Sequence, residues 1–307
     1  MLRLIACCGS LLISAGAAFG DAPTRWKFAE GESLRMRMRQ EMTTQVNTGD
    51  DPPVATEMTQ ETVVRFDVTE VNNDGSAQAT QTIERVVVDA GSAAIKNTHY
   101  DSDSDEPADG LGAMTAPLFG VLVGAPITMT IGPTGEVSDV TLDSKLAETL
   151  KNNPLAKTSG TVFSEEGIKR IVQQCVTQLP AGALEVGQTS TDQVEVESPV
   201  GVLRLSTTYT YAGQRTEAGR TVRVFETRTE QAIVDGGEPA AVKAEIVDQD
   251  GVGELVFDAE AGRPVSSSKQ SSFTMKLSDG VDGGARETRT KLKVSSAWSV
   301  IEPDEAE

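Results

Sequence analysis

The stretch Leu34-Arg35-Met36-Arg37-Met38-Arg39-Gln40-Glu41-Met42 decides the fold. In an extended chain side chains alternate sides, so Leu34, Met36, Met38 and Met42 face one way and Arg35, Arg37, Arg39 and Glu41 the other. One face suits a core and the other suits water. Val64, Phe66 and Val68 repeat the pattern. Asn72-Asn73-Asp74-Gly75 then supplies residues that tolerate positive φ in a tight turn, and residues 78–88 are predicted to return antiparallel.

The same reading extends along the chain. Ile127-Thr128-Met129-Thr130-Ile131 alternates, Gly132-Pro133-Thr134-Gly135 reads as a hairpin turn, and residues 137–140 form its return strand. Two helices follow. Asp143 or Ser144 caps the first, with Leu146, Ala147 and Leu150 on one face. Ser164 caps the second, whose first turn carries Glu165 and Glu166. Ile168, Ile171, Val172, Cys175, Val176 and Leu179 fall at helical spacing on one side of it, and Pro180 ends the run.

From Gln188 the strands resume. Leu203, Leu205, Thr207, Tyr209 and Tyr211 share a face, Leu255-Val256-Phe257 runs into a turn ending at Gly262, and Phe273, Met275 and Leu277 alternate. Leu292, Val294 and Trp298 close the fold. Strands, helices, then strands predict an α+β fold that is predominantly antiparallel β, a curved sheet packed on one or two central helices. Residues 21–301 read as one β-rich domain. Its two halves, 21–141 and 186–301, resemble each other in layout and flank a helical segment at 142–180; residues 302–307 form an acidic tail.

A short basic start, an apolar run from Leu4 to Phe19 and small residues at Ala18 and Gly20 predict a signal peptide cleaved after Gly20. The run is shorter than the ~20 residues a membrane-spanning helix needs. No transmembrane span is therefore expected in the mature chain, which is assigned to an extracytoplasmic compartment, periplasmic or secreted. Leu4-Ile5-Ala6-Cys7 spells a lipobox, but most of the apolar run follows Cys7, which argues against lipid anchoring there.

Removing residues 1–20 leaves 26 basic against 46 acidic side chains, a net charge near −20. Such a chain repels phosphate backbones, and nucleic-acid binding is excluded. His99 is the single histidine, which removes zinc sites built on several imidazoles and leaves no signature of a histidine-based nucleophile. Cys175 lies on the apolar side of its helix, where a thiol behaves as a small hydrophobe. Asp101, Asp103 and Asp105 space acids as a calcium loop does at its first three ligands. Glu106 replaces the turn glycine and Gly112 the final acid, so the expected affinity is weak. Gly251 and Gly253 precede a strand, unlike a dinucleotide fingerprint. No cofactor is implied.

Trp26-Lys27-Phe28 with Gly31-Glu32 and Leu34-Arg35, the turn Gly132-Pro133-Thr134-Gly135-Glu136-Val137, and Phe257-Asp258 with Glu260 and Gly262 together resemble uncharacterised secreted proteins of planctomycete bacteria, a domain of unknown function. That resemblance implies export and a β-rich fold and assigns no site residues. The expectation from sequence is a non-enzymatic exported protein of the cell envelope. It would bind an apolar small molecule or lipid on a curved sheet, with Met36, Met38, Met42 and Met129 as candidate lining residues because methionine adapts to varied partners. The bland alternative has those methionines filling the core. A different class is an acidic structural protein that engages another envelope protein, and a third is a carboxylate-based enzyme.

Overall fold

The computed structural model describes residues 23–301 apart from 50, 93–94, 107–115, 118, 153–163, 181, 199–200, 235–241 and 280–286. The expected signal peptide and acidic tail lie outside the described residues. The first half contributes β1 (Ser33–Thr48), β2 (Val54–Val71), β3 (Ala77–Ser92), β4 (Ile95–Asp101), β5 (Pro126–Ile131) and β6 (Val137–Leu142). Helices α1 (Ser144–Asn152) and α2 (Glu165–Cys175) follow. The second half contributes β7 (Thr189–Ser198), β8 (Gly201–Glu217), β9 (Arg220–Val234), β10 (Val242–Asp258), β11 (Arg263–Asp279) and β12 (Glu287–Ile301).

All twelve strands join one curved, open sheet in the order β6-β5-β3-β2-β1-β12-β11-β10-β9-β8-β7, with β4 pairing a second stretch of β3. Every strand pairing is antiparallel. Each half of the chain is a meander, and the two meet where the first strand pairs with the last. Met38 lies opposite Trp298 and Met42 opposite Val294. The alternation read from Leu34 therefore holds over the whole of β1.

The turns form where the sequence places them. Gly75 and Gly135 both adopt φ of +84°, which L side chains rarely reach, and each donates its N–H back across the turn, to Asn72 and to Gly132. The helix caps also agree: Asp143 Oδ1 accepts from the N–H groups of Lys145 and Leu146, and Ser164 Oγ accepts from Gly167 N at 3.1 Å.

One hydrophobic cluster on a single face of the sheet holds Met36, Val64, Phe66, Ile127, Met129, Phe225, Leu255 and Phe257 together with Leu146 and Leu150 of α1 and Ile168 and Val172 of α2. Two expectations are corrected. The helices are few and short beside the sheet, and α2 packs at its β6 end, so they are not a central hub. Moreover, α2 stops at Cys175, with Val176 already extended, while Ile171 is 45% exposed. Val176 and Leu179 are buried by the loop that follows the helix. The Cys175 side chain lies outside the described residues. A smaller cluster of Val222, Val224 and Val256 occupies the opposite face.

Candidate functional site

Strand register arranges the inner face, the one carrying Met38 and Trp298, in rows that cross several strands. The row through Met38 continues Trp298, Ser267, Leu255, Phe225, Tyr211 and belongs to the filled core. One step along the strands the next row reads Gln40, Ser296, Lys269, Gly253, Thr227, Tyr209. This is a polar belt. Beyond it apolar and polar side chains share the face: Met58, Met42 and Val294 stand in one row with Ser271, Leu292 and Phe273 lie between Thr44 and Gln249, and Met275 lies between Thr290 and Ile246. The apolar side chains here are all half-buried, and at the far end the paired Val46 and Val54 are 36% and 50% exposed. The strip Val294, Leu292, Phe273 and Met275 is thus left half open to solvent, bordered by Thr44, Ser271, Gln249 and Thr290, and a connected exposed apolar strip of this kind marks a candidate binding surface.

The reason lies in strand length. Strands β1, β2 and β8–β12 each run at least 15 residues, roughly 50 Å of extended chain. Helices α1 and α2 cover 9 and 11 residues, and a short helical segment at 119–122 lies beside β4, where Phe119 stacks on Tyr100. Among the described residues they fill one end of the face and leave the far ends of β1, β2 and β8–β12 without helical cover.

Within the belt Lys269 stands apart. From the Gln40 row to the far ends of β1, β2 and β8–β12, it is the one charged side chain among the described residues of the inner face. On β7 the same half of the face carries Asp192, four strand spacings away, about 19 Å along the sheet. Lys269 has no hydrogen-bond or ion-pair partner among the described residues, and burial pushes its amine below the ordinary lysine range. Tyr209 in the same row is pushed up to about 12, chiefly by burial and further by Asp192. Gly253 faces Lys269 across the β10–β11 ladder. A Cβ on it would overlap Ser268 O and lie 2.7 Å from Thr227 Oγ1 and 3.2 Å from Lys269 Cα, so only glycine fits this close approach of the strands.

Two other concavities lie at the helix-covered end. A cavity of about 30 Å³ is lined by Trp26, Phe28, Met36, Phe66, Val68 and Ile131; it has room for a single water molecule, not a ligand. A cleft of about 900 Å³ carries Arg35, Arg65, Arg220 and Arg263 beside Asp67, Asp258 and Glu260. Its arginines are already engaged. Arg35 and Arg65 share Glu84, Arg65 also holds Asp67, Arg263 pairs with Glu32, and Arg220 has a partner as well.

The residues singled out from sequence scatter over these regions. Met129 and Met36 are 1% and 4% exposed and pack in the core, Met36 also lining the small cavity. Met38 is half-buried at the core's edge, and Met42 lies on the half-open apolar surface opposite Met58. Asp101 is held by Arg85, whose guanidinium lowers its carboxyl below the usual range and also reaches Asp103 at 3.4 Å; Asp105 is exposed in the loop beyond. Among the described residues no group of three acidic, histidine or cysteine side chains converges as a metal site. His99 Nδ1 pairs with Asp89 at 2.8 Å on an exposed edge. Lys269 was missed. The signal was present, since Lys269 stands in phase with Phe273, Met275 and Leu277, a charge on the apolar phase of a strand.

Residues 74–218, from the β2–β3 turn through β8, match a family of unknown function (DUF6263). No curated protein sequence matches the chain. Among solved structures it is similar to lipovitellin, in a study of lipid–protein interactions, at 12% identity and a TM-score of 0.46, over 90% of this chain. It spans only 26% of the lipovitellin chain. It is also similar to DynF of the dynemicin biosynthesis pathway of Micromonospora chersina, at 10% identity and a TM-score of 0.21, over 99% of this chain and 95% of that one. For a LolA superfamily protein from Nitrosomonas europaea the identity is 9% and the TM-score 0.17, over 91% and 90% of the two chains.

Proposed function

We propose that the chain is a non-enzymatic, exported protein that binds an apolar ligand of lipid type on the inner face of its sheet, with the helices closing one end of that face. The observation that carries this reading is the half-open apolar strip formed by Met42, Met58, Val294, Leu292, Phe273 and Met275, bordered by Thr44, Ser271, Gln249 and Thr290. Leaving such area in water forgoes about 25 cal/mol for each Å² that a ligand would cover. Export accounts for the apolar leader and fits the envelope, where lipids must cross water.

Native mass spectrometry of the chain as purified from expressing cells tests the reading. A bound mass of a few hundred daltons that disappears on denaturation is expected. Replacing Phe273 and Leu292 by glutamate should remove that mass while the sheet still folds. A bare polypeptide mass, together with no uptake of added hexadecanol, would overturn it.

A further inference from the structure

We propose that the ligand is a long-chain fatty acid, its carboxylate set against the Lys269 ammonium and its alkyl chain lying along Phe273, Met275, Leu292 and Val294; this rests on the lipid-binding reading above. The argument begins with charge. The chain carries 46 acidic against 27 basic side chains, so an unpaired cation is an unexpected thing to leave half-buried. The cost of withdrawing a lone ammonium from water is recovered when an opposite charge joins it. None of the described carboxylates does so: Asp192 is four strands off, and Asp248, Asp250 and Glu254 on the neighbouring β10 all point to the opposite face.

The surroundings of Lys269 suit a carboxylate head. Ser267 and Ser271 flank it on β11, Ser296 pairs with it on β12, and Thr227 lies beyond Gly253. Their hydroxyls, with the amide of Gln40 in the same row, can donate to the oxygen that the ammonium does not engage. One cation and no second matches a monoanion. A phosphate dianion would leave charge uncompensated in a half-buried site.

The dimensions also agree. Met275 lies six positions beyond Lys269, which is about 20 Å along a strand. That exceeds the ~15 Å that an acyl chain spans as half of a ~30 Å bilayer core. Head and tail thus fall on one strand in the order of an amphiphile: an ammonium first, then the serine rung at Ser271, then Phe273 and Met275 on the same face.

The test uses the purified, delipidated full-length chain and two probes of equal chain length, palmitate and hexadecanol, with affinities measured by titration calorimetry. Palmitate is expected to bind at least tenfold tighter than hexadecanol. Lys269→Met should lower palmitate affinity to the hexadecanol level and leave hexadecanol unchanged, while Lys269→Arg should keep the preference. Equal affinity for both probes in the unmodified chain, or a preference that survives Lys269→Met, would sink the role of Lys269 and leave the apolar reading intact. Failure of both probes to bind would overturn the two together. Should Lys269→Met not fold, the ratio of the two probes on the unmodified chain still decides.

Discussion

The indole Nε1–H of Trp26 donates to the carbonyl of Thr177 at 3.1 Å, and this bond fastens the segment before β1 to the loop after α2. The backbone N–H of Trp26 donates to Pro133 O, and that of Lys27 to Gly262 O at 2.7 Å. Lys27 Nζ reaches the carbonyls of Ala259 and Glu260. Three stretches far apart in sequence, 26–28, 132–135 and 258–262, are therefore one structural junction at the helix-covered end of the sheet.

Gly135→Ala is expected to destabilise the chain by about 2 kcal/mol or more. Its φ of +84° alone costs a non-glycine residue about 1–2 kcal/mol. The added Cβ would also overlap the Thr177 carbonyl oxygen and come within 2.9 Å of Trp26 Nε1, and neither can swing away as a surface side chain would. Gly31→Ala is the control, with φ of +80° and nothing within 4 Å of the new atom. Urea denaturation of both variants should give the larger loss for Gly135. Equal losses would mean the junction yields.

Trp26→Phe keeps a ring to stack on Phe28, now 5.6 Å away and nearly parallel, but leaves the Thr177 carbonyl without its indole donor. A loss of about 1 kcal/mol is expected, the net worth of a hydrogen bond to a partly buried acceptor. A midpoint unchanged in urea would show that water replaces the indole at no cost.

His99 should titrate above its ordinary value of about 6.5, because its ring donates to Asp89, with Asp101 and Glu106 adding attraction at longer range. A raised folded value means that the pair contributes stability fully below pH ~6.5, and that this is lost as pH rises through the folded value. The side chain is 61% exposed, so the effect on stability is small and the resonance is the better readout. As the single histidine it gives one ring-proton signal to follow by NMR. Asp89→Asn should bring the midpoint back toward 6.5, and an unshifted midpoint in both would show that the contact does not persist in solution.

Much of the fold was legible because strand alternation is local. Leu34 to Met42, Val64 to Val68 and Phe273 to Leu277 each announce their inner face within a few residues. The pairing of β1 with β12 was not, since a strand carries no mark of a partner 250 residues away. The end of α2 was misread for a related reason. Val176 and Leu179 continue the helical spacing, yet they bury from an extended loop, and only the fold distinguishes the two. The candidate site was half legible. Methionines on the inner phase were visible, but the sequence does not say that the helices reach only one end, which separates Met36 from Met42. Lys269 could have been found by asking which charge interrupts an apolar phase.

That separation makes the methionines a direct test of where ligand and core divide. Met129 is 1% exposed and enclosed by the cluster that includes Ile127, Leu142 and Leu146, so Met129→Ala should cost about 2–5 kcal/mol. Met42 is half-buried, paired across strands with Met58 and Val294, and gives up far less area on truncation. Met42→Ala should therefore cost under about 1 kcal/mol in the ligand-free chain. With hexadecanol bound the order is expected to reverse: Met42→Ala should weaken binding several-fold, while a folded Met129→Ala should bind as before. If Met42→Ala destabilises the empty chain as much as Met129→Ala does, the far half of the inner face is core and not a binding surface.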